Sequence, residues 1–193
     1  ALALGLTMII GEFDLSVLGS YALGAMVAVK LGVENPLLGL AAGVGVCAVL
    51  GLIQGIIVAR TGLNSMAVTL AGYLVALGAT GTIGENRSQA YSNYDFAGQL
   101  NAPIAGVFSL RSLMAIAVLV VVILLFSLTR MGRDMRATGG GRRASRTAGV
   151  RVNLILVLTF TASGALAALG GTLQGYGVAT APSVGPALLL AAH

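Results

Sequence analysis

The sequence predicts an all-α, polytopic transmembrane helix bundle with a broken first span, and three observations predict it. Apolar residues make up 57% of the chain and charged ones 9%, with mean hydropathy +0.96, against roughly 45–50% and 25% in soluble domains. Apolar runs recur at about the 20-residue length that a bilayer-spanning helix needs. Between residues 129 and 152, Arg130, Arg133, Arg136, Arg142, Arg143, Arg146 and Arg151 face a single acid, Asp134, and this stretch lies between two such runs.

Residues 1–33 are apolar but interrupted by Gly11-Glu12-Phe13-Asp14-Leu15-Ser16. Acids between long apolar runs are costly, and they usually line a cavity, pair, or mark a pathway. Asp14 suits the N-cap of a helix starting at Leu15, which makes residues 11–14 a joint between two half-helices. Two geometries fit. Residues 1–33 form one broken span with the acids at membrane depth, or residues 1–10 are the tail of a separate span and the acids sit in a cytoplasmic turn. Residues 15–29 are short for a full crossing, which favours the broken span.

Residues 37–59, closed by Arg60, form the next span, and residues 66–83 a shorter, Gly-rich one. Residues 104–128, closed by Arg130, form another. Residues 154–181 form the last, loosened at its far end by Gly170, Gly171, Gly175 and Pro182. Small residues four apart (Gly39 and Gly43, Gly51 and Gly55, Gly171 and Gly175) let helices approach closely in lipid, so they read as packing faces. Ala1 stands inside an apolar run and no initiator Met precedes it, so a fragment is expected.

Lys and Arg gather in cytoplasmic loops, so the arginine-rich stretch faces the cell interior. Alternating sides puts Arg60 and residues 61–65 inside, and residues 32–36 and 85–103 outside. The inside turn again carries an Arg and no acid. The outside segment, with Asn86, Ser88, Gln89, Tyr91, Asn93, Tyr94 and Asp95, is polar and nearly charge-balanced.

Within the basic stretch, residues 138–149 hold a Gly cluster, about two turns of potential helix and a Gly stop. A short helix parallel to the membrane there suits a groove on a soluble partner; a solvated positive loop near anionic lipid is the other reading. A P-loop needs a Lys after its Gly run, and Lys30 is the chain's one Lys, so this motif does not hydrolyse ATP. His193 is the one His and stands at the terminus, so neither HExxH, which needs two, nor a Ser-His-Asp triad is expected. Cys47 is alone in an apolar run, so neither a disulfide nor a thiolate metal site is available, and no bound metal is expected. Most of the arginines sit in one inter-span segment without interleaved aromatics, which argues against a nucleic-acid surface.

These motifs resemble a known family. Residues 3–10, followed by Glu12-Phe13-Asp14-Leu15-Ser16-Val17 and Gly19-Ser20, are similar to the signature of permease subunits of bacterial sugar ABC importers of the ribose/xylose/arabinose type. Val68-Thr69-Leu70-Ala71-Gly72-Tyr73 resembles that family's segment at the start of a later span. Arg130-Met131-Gly132-Arg133, Ala137-Thr138-Gly139-Gly140, Ala144, Arg146 and Gly149-Val150 look like its Arg-x-Gly-Arg, Ala-x-Gly-Gly and Ala-Ala-Arg-x-Ser-Gly-Ile pattern. Ser163-Gly164 and residues 177–185 continue it. Three departures stand out. Leu18 is inserted, Arg142 and Arg143 replace Asn-Glu-Glu-like residues, and residues 188–193 end the chain where relatives continue.

The resemblance implies one permease domain over residues 1–193 in a bacterial inner membrane, translocating a monosaccharide by alternating access. It implies a substrate pathway at Glu12, Asp14, Ser16, Thr69, Gly72 and Tyr73. Residues 130–151 become the coupling loop, with Gly139, Gly140, Arg142, Arg143, Ala144, Arg146 and Gly149 meeting an ATP-binding subunit that holds the ATP and Mg. A second permease copy, a homodimer, and a periplasmic sugar-binding protein complete the implied assembly. The alternatives are a branched-chain amino acid ABC permease, an ion-coupled secondary transporter using Glu12 and Asp14, and a purely structural membrane subunit.

Overall fold

The computed structural model describes residues 1–104 and 108–182. Gly185 and residues 188–193, including His193, lie outside the described residues. Helix α1 (Leu2–Ile9) leads into a non-helical joint, followed by α2 (Ser16–Leu31), α3 (Pro36–Thr61) and α4 (Ser65–Ile83). Next come β1 (Gln89–Ala90), α5 (Tyr94–Asn101), β2 (Pro103–Ile104) and β3 (Phe108–Ser109). The chain continues through α6 (Leu110–Leu128), α7 (Arg130–Gly140), α8 (Arg142–Thr147), α9 (Val152–Val178) and β4 (Thr180–Ala181). Among the described residues, α3, α4, α6 and α9 are long and apolar enough to span a membrane.

Local chemistry sets the boundaries. Asn35 accepts from the backbone N–H of Leu37 and Leu38, and Pro36 fills the first helical position, so α3 starts one residue before the apolar run. Gly62, at φ +68°, ends it in the left-handed region. Asn64 caps α4 through the Met66 N–H. The run expected to be helical from 104 starts as helix only at Leu110. Its first residues pair as an antiparallel ladder, Pro103 with Ser109 and Ile104 with Phe108, and Ser109 caps α6 by accepting from Ser112. The last span stops at Val178, where Ala179 takes a left-handed conformation (φ +53°) and Thr180–Ala181 pairs antiparallel with Gln89–Ala90. Arginine-rich residues expected to be mainly loop fold as α7 and α8; Thr129 caps α7 through the Gly132 N–H.

Helix α9 is the axis of the bundle, packed against α2 and α3. Glycines make that possible. A Cβ on Gly51 would run into the carbonyl of Phe160, one on Gly164 into the carbonyl of Cys47, and one on Gly171 into the carbonyl of Tyr21. All three predicted small-residue pairs are buried in these contacts. By contrast Leu18 is 67% exposed, so the inserted residue points away from the packed faces.

At one end, Val58, Met135, Val152, Ile155, Leu156, Phe160 and Ile10 form a single cluster, so the Arg60 turn and the basic segment share that end. At the opposite end, Tyr91 and Tyr176 stack with ring centroids 4.6 Å apart. Tyr91 donates to the Gly32 carbonyl (3.0 Å) and Tyr176 to that of Pro36 (2.9 Å). Burial pushes the Tyr91 phenol above its ordinary pKa. The alternation of sides read from the loops therefore holds in the tertiary structure.

The break falls at the expected joint, but the chain reverses there. Ala3 and Val17 belong to one cluster with Ala167, while Ile10 packs with Val152 and Ile155 further down α9. Helix α1 thus descends toward the basic end and α2 climbs away from it. The two half-helices run in opposite directions, each packed on α9, in correction of the favoured single broken crossing: Ile10 and Glu12 are held at the basic end by Met135 and Arg142, and Asp14 further along α9 by Ser163.

Gly164→Val is expected to lower stability by about 1–3 kcal/mol, the usual range for overpacking. Gly78→Ala, where a Cβ meets open space, should leave it unchanged. Thermal unfolding in detergent checks the contrast.

Candidate functional site

Two neighbouring groups of residues carry the chemistry, and the joint connects them. Asp14, 1% exposed, lies where α2, α3, α4 and α9 meet. Its Oδ1 accepts from the Ser16 N–H (2.9 Å) and hydroxyl (2.6 Å), and its Oδ2 from the Ser163 hydroxyl (2.6 Å). Ser163 stands eleven residues into α9, roughly 16 Å from its start at 1.5 Å per residue. Asp14 therefore sits well along the length of α9, and its carboxylate is satisfied by donors from two helices.

The network extends to α3. The Ser16 hydroxyl also lies 3.0 Å from the side-chain amide of Gln54. The amide oxygen Oε1 is the atom that faces Ser16, and the Gln54 Nε2 is buried without a hydrogen-bond partner among the described residues. Thr69 of α4 accepts from the Leu15 N–H at 3.1 Å and holds the joint from the far side. Gly72 packs against the Gln54 amide, and a Cβ there would collide with it. Tyr73 is half-buried against Gly19. Of the expected pathway residues, Asp14, Ser16 and Thr69 thus share one hydrogen-bonded neighbourhood, and Gly72 and Tyr73 flank it through packing. Glu12 faces elsewhere.

Glu12 pairs with Arg142. Beneath this pair the backbone of Gly139 presses on the Ile9 carbonyl, and Ile10 packs on Met135. Ser145 turns inward, donating to the Ala137 carbonyl (2.7 Å), while Arg143, Ala144, Arg146 and Thr147 are exposed. Arg146 reaches back to Asn153 at 3.1 Å. Gly140 is exposed at the end of α7, and Gly149 (φ +84°) ends the segment after α8. The result is a short helix held by its inner face, with a cationic outer face open to a partner. Among the described residues there is no cluster of His, Cys, Asp and Glu able to hold a metal.

Gln54 was not singled out by sequence, and Ser163 only as part of a family pattern. A lone amide in an otherwise apolar run was the available signal for Gln54, because a polar group at that depth needs a protein partner.

The family described as branched-chain amino acid transport system / permease component matches residues 1–193. The D-allose transport system permease protein AlsC of Escherichia coli (strain K12) is 31% identical over 173 residues, 86% of this chain and 52% of AlsC. The ribose import permease protein RbsC of the same strain is 32% identical over 186 residues, 90% of this chain and 56% of RbsC. The L-arabinose transport system permease protein AraH, again of that strain, is 30% identical over 167 residues, 84% of this chain and 50% of AraH. The chain spans about half the length of these curated relatives. No solved structure matches it.

Replacing Asp14 by Ala removes the acceptor for two hydroxyls, and a buried unsatisfied group costs about 1–3 kcal/mol. Asp14→Ala is expected to destabilise the bundle by at least that much, and Asp14→Asn, which keeps one acceptor oxygen, by less. Unfolding midpoints of the two variants in detergent report the difference.

Proposed function

The chain belongs to the branched-chain amino acid transport system / permease component family, and we propose that it is the membrane-spanning subunit of an ATP-binding-cassette importer carrying a monosaccharide across a bacterial inner membrane. The relatives that cover most of this chain are permeases for allose, ribose and arabinose. Those names favour a sugar over a branched-chain amino acid. ATP and Mg belong to a separate ATP-binding subunit, and this chain supplies the route.

The observation that carries the reading is the exposed cationic face of α8, at the same end of the bundle as the Arg60 turn. Two basic connections on one end orient it toward the cytoplasm, where an ATP-driven subunit docks. Gly139, Gly140, Arg142, Arg143, Ala144, Arg146 and Gly149 receive its motion. The opposite end, with α5 and the polar residues from Glu85 to Asn93, meets a periplasmic sugar-binding protein, and a second permease copy completes the pathway. Sugar passes beside the helices that Asp14, Ser16 and Thr69 tie together, these buried groups fixing the wall of the route rather than bonding the cargo, with Gly72 and Tyr73 at the border. Alternating access follows if ATP binding shifts the balance between inward-open and outward-open bundles.

The bonding of the two acids argues against ion coupling. Glu12 is engaged by Arg142, and Asp14 by three donors. Neither offers a free carboxylate to a coupling ion.

Gly149→Pro is incompatible with φ +84°, since proline holds φ near −65°. That change, or Arg146→Glu, is expected to reduce ATP-driven sugar uptake by roughly tenfold or more, within the usual range of coupling between sites. Uptake at the unaltered rate in either variant removes the coupling assignment. In a separate test, a cysteine at position 143 should react with an impermeant thiol reagent from the cytoplasmic side alone.

A further inference from the structure

Among the described residues there are two ion pairs. Lys30 and Glu85 meet at 3.2 Å near the outer end with side chains 35% and 73% exposed, where solvent screens the attraction. Glu12 and Arg142 are more sheltered, at 12% and 33%. This second pair joins residues 130 positions apart, and it gives the basic segment an acid from outside itself.

What Glu12 is attached to makes the pair consequential. It stands in the non-helical joint two residues before Asp14. The residues that follow are each bonded to a different helix. Asp14 accepts from Ser163 of α9, the Leu15 N–H donates to Thr69 of α4, and Ser16 contacts Gln54 of α3. The N–H groups of Gly11 and Glu12 donate to the carbonyls of Met8 and Thr7 and close α1 at Gly11 (φ +77°), so Glu12 moves with the end of α1, while the residues after it find partners on other helices. A displacement of Arg142 therefore reaches three membrane-spanning helices through residues 12–16. On the other side, the close backbone approach of Gly139 to Ile9 and the packing of Ile10 on Met135 bind the joint to α7 as well.

We propose that the Glu12–Arg142 ion pair is the transmission contact that carries movement of the α7–α8 segment into the joint and from there to the buried Asp14 network; the proposal rests on the coupling role assigned above. Glu12 is then a positioning residue on the cytoplasmic side of the pathway, and fixing the wall of the route is left to Asp14 and Ser16. Salt and charge matter more to this pair than shape. Arg142 reaches Glu12 with a long side chain while its backbone belongs to a helix of six residues, so reversing both charges preserves the contact.

The test uses the assembled permease and ATP-binding subunit in liposomes, with sugar-loaded binding protein. Glu12→Gln and Arg142→Gln are each expected to lower sugar imported per ATP hydrolysed by roughly tenfold. The double reversal, Glu12→Arg with Arg142→Glu, should recover about half of the lost ratio or more, as expected for a directly coupled pair. An unchanged ratio in the single variants overturns the proposal, as does a double reversal that assembles yet stays as deficient as the singles. If the single variants fail to assemble, cysteines at 12 and 142 in a Cys47→Ser background, joined by a short thiol-reactive bridge, decide the question. A contact that moves as one body tolerates the bridge, so retained uptake supports the proposal and uptake lost on bridging and restored by reductant overturns it. Failure of the coupling reading itself is distinguishable, because it appears as normal uptake in Arg146→Glu, a variant that leaves Glu12 and Arg142 untouched.

Discussion

Backbone-to-backbone approach of α9 to α2 and α3 is the constraint on which the remaining structure depends. In lipid, helices gain nothing from burying apolar surface against one another, because the solvent is equally apolar. They are held by close contact and by hydrogen bonds that lipid cannot supply. Gly51, Gly164 and Gly171 remove the side chains that would separate these helices. Helix α6 shows the contrast. It is the most apolar of the spanning helices, yet none of its residues is buried. Hydropathy makes a helix at home in the membrane, and small residues make it part of a bundle.

Once α2, α3 and α9 are that close, a polar group between them has to be bonded within the protein. Asp14 meets that requirement with Ser16 and Ser163, and Ser16 passes it on to Gln54. The same joint places Glu12 outside the packed interior, against Arg142. Two carboxylates two residues apart thus serve different surroundings. One ties helices together inside the bundle; the other ties the bundle to the basic segment. Tyr91 and Tyr176 close the far end with ring stacking and hydrogen bonds to the α2–α3 connection, so each end of the bundle has its own clasp.

Much of this was legible residue by residue. The acids of residues 11–14 marked a joint between two helices, and Arg60 and the seven arginines of residues 129–152 an orientation. The Gly pairs of α3 and α9 marked packing faces, and they pack. Less legible was the start of α6, because the apolar character of Ile104 and Phe108 does not reveal that they pair as strands while Ser109 caps the helix. The helical state of residues 130–140 was equally hidden: their polarity suggests a loop, and their order comes from the Thr129 cap and from Met135 packing on Ile10.

Sequence alone determined that the chain lives in a membrane, where its spanning helices lie and which end carries the positive charge. Those properties follow from transfer free energies and loop charges, which are sums over neighbouring residues. Tertiary structure decided that the chain reverses at the joint, that Asp14 finds Ser163 149 positions away, and that Glu12 finds Arg142. Such partnerships depend on which helix faces approach one another, and that is a property of the whole bundle which no local stretch contains.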